Sequence, residues 1–130
     1  VDISDKLLFK SGSVSITDKA TVVLGKVAKV LAAQPNIEFM VEGHTDSKQL
    51  LGSDNKMEDN WDLSVKRATT IVRLLQEKYG IDPKRMTAAG RGEYVPVVEN
   101  NSAENRAANR RTRIVILPQL DQFFKLLETK

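Results

Sequence analysis

The chain has 130 residues, no cysteine, one histidine and a formal net charge of +3, with 41% hydrophobic and 28% charged residues. That size and balance describe one ordered domain with its own core, and they exclude disulfides, thiol nucleophiles and cysteine metal sites. No apolar run reaches the roughly 18 residues of a membrane span, and the chain opens on Val1 without a leader, so it reads as a mature fragment or excised domain.

Val1, Ile3, Leu7, Leu8 and Phe9 suggest a first strand, broken at Lys10-Ser11-Gly12-Ser13. Thr17 and Asp18 then start a helix whose apolar residues Ala20, Val23, Leu24, Val27, Val30 and Leu31 recur at helical spacing until Pro35. A β-branched run from Ile37 to Glu42 predicts a second strand, which delivers Gly43. His44 lacks the companions a metal or catalytic site needs, so its expected role is structural, bonded to nearby backbone. A long polar excursion follows, from Ser47 to Asp59, of the kind that is often functional or mobile beside a site.

Asp62 or Ser64 is expected to cap a second long helix with an inner stripe of Ala68, Ile71, Val72 and Leu75, closed near Gly80. Pro83 suits the first position of a short turn. Met86 to Ala89 reads as a third strand, and Gly90-Arg91-Gly92 as a tight turn, not a dinucleotide fingerprint. Residues 94–98 read as extended. Ser102 can cap a short helix from Ala103 to Arg110, and Thr112 to Leu117 reads as the last strand. Leu120, Phe123, Phe124 and Leu127 form the stripe of a C-terminal helix over residues 119–130. The fold class that follows is an α/β sandwich (α+β) in a single domain, 1–130. It is a β-α-β-α-β-β mixed sheet with helices packed on it, plus the C-terminal helix.

Asp46 leaves a strand end and Arg67 sits on a helix start. Facing each other over a cleft, they could take the zwitterionic end of an amino acid, the carboxylate accepting from an ammonium and the guanidinium forking onto a carboxylate. Alternatively they pair with each other, or point separately into water. Thr45 either caps its turn or offers a hydroxyl to a ligand. Trp61, the sole tryptophan, could stack on a sugar or peptide, although packing is the commoner role.

Gly43-His44-Thr45-Asp46, Asn60-Trp61-Asp62-Leu63-Ser64-Val65-Lys66-Arg67-Ala68, Gly90-Arg91-Gly92 with Pro96, and Asn109-Arg110-Arg111 follow one another in that order. The pattern resembles the OmpA-like peptidoglycan-binding domain over residues 8–116, and the Asn-Trp-Asp-Leu-Ser wording is similar to its MotB branch. The resemblance implies that Asp46 and Arg67 grip the diaminopimelate of a stem peptide. Asn60 and Leu63 complete the wall, Phe9 and Gly12 line the other side, and the amides at Leu63-Ser64 add donors. Asn109 and Arg111 would be buried scaffold, and Arg113 stands where the family places an acid. The expected function is non-catalytic and cofactor-free: anchoring an outer-membrane or envelope protein to the wall from the periplasm. The membrane would be reached only through an anchor outside the chain, and a homodimer is left open.

Three rivals stand beside that expectation. One is a MotB-type flagellar stator wall clamp. Another is a nucleic-acid module built on Arg106, Arg110, Arg111 and Arg113, against which no aromatic residue is interleaved with the cluster to stack on bases. The third, a wall hydrolase, lacks a convincing acid–base or nucleophile set.

Overall fold

Two amphipathic helices decide which way the sheet faces. The structure, a computed structural model, describes residues 1–10, 13–48, 58–117 and 127–128. Helix α2 (Asp18–Ala32) starts at Thr17, whose hydroxyl accepts from the Ala20 amide at 3.2 Å and donates to the Leu7 carbonyl at 2.8 Å. It buries Ala20, Leu24, Ala28 and Leu31, one stripe along its length. Helix α3 (Asn60–Glu77) turns Ala68, Ile71 and Leu75 into the same core, where they meet Phe9, Phe39 and Val41. Gly80 follows α3 at φ +67°, a left-handed position that suits the exit of a helix.

The strands are β1 (Asp2–Ser4), β2 (Phe39–His44), β3 (Met86–Gly90) and β4 (Arg111–Ile116). They lie in the order β1-β4-β2-β3, with β2 and β3 parallel and the other pairs antiparallel. A parallel pair requires a crossover, and α3 supplies it. This is the mixed sheet with helices packed on it that the periodicity predicts.

Where α3 crosses the sheet, two glycines make room. A Cβ on Gly43 would lie within van der Waals exclusion of the Ser64 carbonyl oxygen, and one on Gly90 would collide with the Ser64 hydroxyl and the Val65 amide. Gly90 thus serves close approach to a helix. Of the two glycines in Gly90-Arg91-Gly92, it is Gly92, at φ +58°, that has the left-handed backbone of a turn glycine.

The first strand is shorter than expected. Strand β1 stops at Ser4, and Asp5–Leu8 winds into a single helical turn, α1. The reason lies in Leu8-Phe9: both side chains are buried, which a straight strand would place on opposite faces. The Asp5 amide donates to the Arg110 carbonyl at 3.0 Å, tying this turn to the far end of the chain. Residues 94–98 form no strand, because the Asn109 side chain takes the Val97 and Val98 amides at 2.9 and 3.1 Å in place of a neighbouring strand. Helix α4 (Ala103–Asn109) is capped by Ser102 as expected. Arg113 finds its partner in Asp2 of β1, with Nε 2.8 Å from Oδ1. The C-terminal stripe of Leu120, Phe123 and Phe124 lies outside the described residues, as does most of the 47–59 excursion.

Candidate functional site

At the C-terminal end of β2 the chain leaves the sheet beside the start of α3, and a cavity of about 450 Å³ opens there. Thr45, Asp46 and Lys48 form one side of it, and Asn60, Leu63 and Arg67 of α3 form another. Ser4, Asp5, Lys6 and Phe9 come from the N-terminal segment. Ala103, Arg106 and Ala107 of α4, with Arg110 just beyond it, close the remaining wall.

Asp46 and Arg67 therefore share one cavity without pairing with each other. Asp46 is fixed by its own turn: Oδ1 accepts from the Lys48 amide at 2.9 Å, and Oδ2 from Arg110 Nη1 at 2.5 Å. The turn is held from behind by Asn60, whose amide nitrogen donates to the carbonyls of Asp46 at 3.2 Å and Lys48 at 2.9 Å. Thr45 donates its hydroxyl to the Asp46 carbonyl at 2.9 Å.

Arg67 is almost completely buried, its guanidinium 5.1 Å above the Phe9 ring. Nε donates to the Ser13 carbonyl at 3.2 Å. Nη1 lies 2.6 Å from Asp5 Oδ1, close enough for an ion pair, yet among the described residues it has no acceptor aligned for a hydrogen bond. Burial lowers the Arg67 pKa against the opposing pull of Asp5, and burial raises that of the Asp5 carboxyl more than Arg67 lowers it. The cavity wall carries five basic residues (Lys6, Lys48, Arg67, Arg106 and Arg110) against the two acids Asp5 and Asp46. It is built to attract anions.

Two expectations about the helix start need correction. Helix α3 begins at Asn60 with Asp59 as its cap, not Asp62 or Ser64; the Asp59 carboxylate accepts from the Asp62 amide at 3.0 Å. Asp62 Oδ2 in turn accepts from the Glu58 amide at 2.9 Å, a reciprocal cap. The Leu63 amide already bonds to the Asp59 carbonyl, so the amides at Leu63-Ser64 are spent inside the helix. Ser64 itself does not line the cavity. It is fully buried, donating to the Trp61 carbonyl at 2.9 Å and accepting from the Gly92 amide at 3.0 Å, which makes it a clamp between α3 and the β3 turn.

The other candidates divide as follows. Phe9, Thr45, Asn60 and Leu63 line the cavity with Asp46 and Arg67, whereas Gly12 lies outside the described residues. Asp5, Lys6, Lys48 and Arg106 line it although they lie outside the motifs, and Arg110 lines it from within the Asn109-Arg110-Arg111 motif, where no ligand role was expected of it. The i, i+4 spacing of Arg106 and Arg110 is a signal that could have found two of them.

His44 bonds to a side chain and not to backbone: Nε2 lies 2.5 Å from Glu42 Oε1, and Nδ1 is buried with no partner among the described residues. Burial lowers the His44 pKa below its ordinary value, outweighing the pull of Glu42. A bare Nδ1 fits the neutral ring, in which that nitrogen carries no proton to satisfy.

The arginine cluster proposed for nucleic acid is not a free surface. Arg110 pairs with Asp46, and Arg113 with Asp2. Arg111 is buried, donating to the carbonyls of Asn109 at 3.1 Å and Val95 at 3.0 Å. Asn109 is likewise fully buried, holding Val97, Val98 and Asn100. Among the described residues no helix is long and apolar enough to cross a membrane, and no group of three or more acidic or imidazole side chains could hold a metal ion.

Comparison with known proteins gives the family. Motility protein B of Bacillus subtilis is 35% identical over 119 residues, which is 92% of this chain and 45% of that protein. The cell wall anchor of the T6SS from Pseudomonas aeruginosa superposes with a TM-score of 0.80 at 35% identity, covering 91% of this chain and 80% of that one. The periplasmic domain of Helicobacter pylori MotB has the same fold, with a TM-score of 0.84 at 24% identity over 98% of this chain and 83% of that one. The chain spans less than half the length of Motility protein B and of a second Bacillus subtilis relative that it matches. The model of the OmpA family matches residues 8–110, and the chain accordingly belongs to the OmpA family, a family of non-catalytic peptidoglycan-binding domains.

Proposed function

We propose that the cavity binds the diaminopimelate side chain of a peptidoglycan stem peptide and so holds an envelope protein to the wall. The observation that carries this reading is the placement of Arg67, with a buried Nη1 lacking an aligned acceptor, in one cavity with the Asp46 carboxylate. The side-chain ammonium of the ligand goes to Asp46. Its carboxylate accepts from Arg67 and from Arg110, which is 36% exposed along its side chain and can turn from Asp46 to the ligand. Binding is then an exchange of ion pairs, with each charge-assisted bond contributing about 1.5–3 kcal/mol. Phe9 and Leu63 cover the methylene stem, and strong retention on the wall comes from several copies engaging one sacculus.

The cell wall anchor of the T6SS and the MotB periplasmic domain support a position outside the cytoplasmic membrane, in the periplasm where the cell has an outer membrane. A second reading is the wall clamp of a MotB-type motility protein, favoured by the 35% identity to Motility protein B over 92% of this chain. A single charged membrane span upstream in the whole gene product selects that reading, and a lipidation site or a β-barrel selects an envelope anchor.

The test is co-sedimentation with purified sacculi. The parent domain pellets with them, and Asp46→Asn remains in the supernatant while keeping its circular dichroism spectrum. Equal pelleting of the two overturns the site.

A further inference from the structure

Trp61 and Tyr94 stand against each other on the outside of the domain, ring centroids 5.0 Å apart and planes inclined by 31°. They are 47% and 61% exposed, so the tryptophan packs on one neighbour and leaves about half of itself in water. Their partnership depends on Gly92, where an added Cβ would come within 3.4 Å of both rings. Val65, one turn along α3, is also half exposed and extends the apolar face. Paired exposed aromatic rings are a costly way to cover a surface and an effective way to bind one.

We propose that this pair is a saccharide platform continuous with the cavity. It takes a pyranose ring of the glycan from which the stem peptide hangs, and it rests on the peptidoglycan reading above. The continuity runs through Asn60. Asn60, a cavity wall residue, precedes Trp61, and Glu93 precedes Tyr94, with Asn60 Nδ2 3.5 Å from Glu93 Oε1. A pyranose presents a face of C–H groups and a rim of hydroxyls. The rings receive the face, while Arg91 and Glu93 on either side of Gly92 offer a donor and an acceptor to the rim.

Because Trp61 is the sole tryptophan, its emission reports on this patch alone. Three probes separate the two readings: a bare stem tripeptide, the same tripeptide on its disaccharide, and the peptide-free disaccharide. Calorimetry should find that the bare tripeptide binds the parent without changing Trp61 emission, whereas both saccharide probes change it. Tyr94→Ala should weaken the disaccharide tripeptide about fivefold and leave the bare tripeptide unaffected. Tyr94→Phe, which keeps the stack, should restore most of the loss. Unchanged emission with both saccharide probes, while the tripeptide still binds, overturns the platform and leaves the cavity reading standing. If no peptide probe binds, both fall. Concentration-dependent self-association that Trp61→Ala abolishes, with saccharide affinity unaltered, assigns the face to a second copy of the chain and overturns the proposal.

Discussion

Arg67 is held by Asp5, its Nη1 2.6 Å from Asp5 Oδ1, and the two line the cavity side by side. Asp46 has a separate partner in Arg110. The cavity is thus framed by two ion pairs of unlike character. One is buried and bridges α1 to α3, and the other is partly exposed at the rim. That division sets which substitutions test binding and which test folding.

Arg67→Ala belongs to folding as much as to binding. It removes the cation–π contact to Phe9 and the bond to the Ser13 carbonyl, and it strands a buried carboxyl at Asp5. Breaking a buried pair from one side costs about 3 kcal/mol. Urea unfolding of the variant should show that loss, and a change below about 1 kcal/mol would mean the Asp5–Arg67 pair is not structural. Asp46→Asn, whose partner can turn to water, should cost no more than about 1 kcal/mol.

Arg106 lines the cavity with no ion-pair partner among the described residues. Arg106→Gln should therefore leave the unfolding midpoint unchanged, weaken an anionic stem peptide several-fold and flatten the salt dependence of binding. An unaltered salt slope in titrations at two ionic strengths would remove Arg106 from the ligand's surroundings.

The crossing of α3 over the sheet gives a sharper stability forecast. Gly43→Ala puts a Cβ against the Ser64 carbonyl, a backbone atom that cannot swing aside. The expected loss exceeds about 4 kcal/mol, enough to prevent recovery of folded protein in a marginal domain. A variant that folds with parental stability would show that the helix can lift off the sheet at no cost.

His44 makes stability fall on the acid side of neutrality. Its folded pKa lies below the ordinary 6.5, so on acidification the unfolded chain takes a proton that the folded chain refuses. Its contribution is complete above about pH 6.5 and is lost as pH falls through the lower folded value. Glu42 faces the ring and pulls the pKa up, while Arg111 and Arg113 push it down. Between about pH 7.5 and pH 5.5, His44→Gln should lose less stability than the parent in urea unfolding. Parallel curves for the two would show that folding does not shift the His44 pKa.

How much of this was readable in advance varied with the kind of signal. Helices α2 and α3 followed from their apolar period, and strands β2, β3 and β4 from short apolar runs, because each is a local pattern. The order β1-β4-β2-β3 rests on pairings between distant segments and was not predicted. The motif residues Asp46 and Arg67 line one cavity. Their partners did not follow, since Asp5 lay in a stretch that reads as strand and Arg110 in one that reads as a basic cluster. Ser64 misled for a related reason. A serine near a helix start looks like a cap, and only the crossing at Gly43 and Gly90 shows why a small buried hydroxyl stands there.

The zwitterion claim is tested most directly by calorimetry with two stem tripeptides that differ only at the third residue, diaminopimelate or lysine. Both side chains end in an ammonium for Asp46, but lysine has no carboxylate for Arg67 and Arg110. The lost charge-assisted bonds should weaken the lysine form by at least about tenfold. Equal affinity of the folded domain for the two peptides would contradict the account.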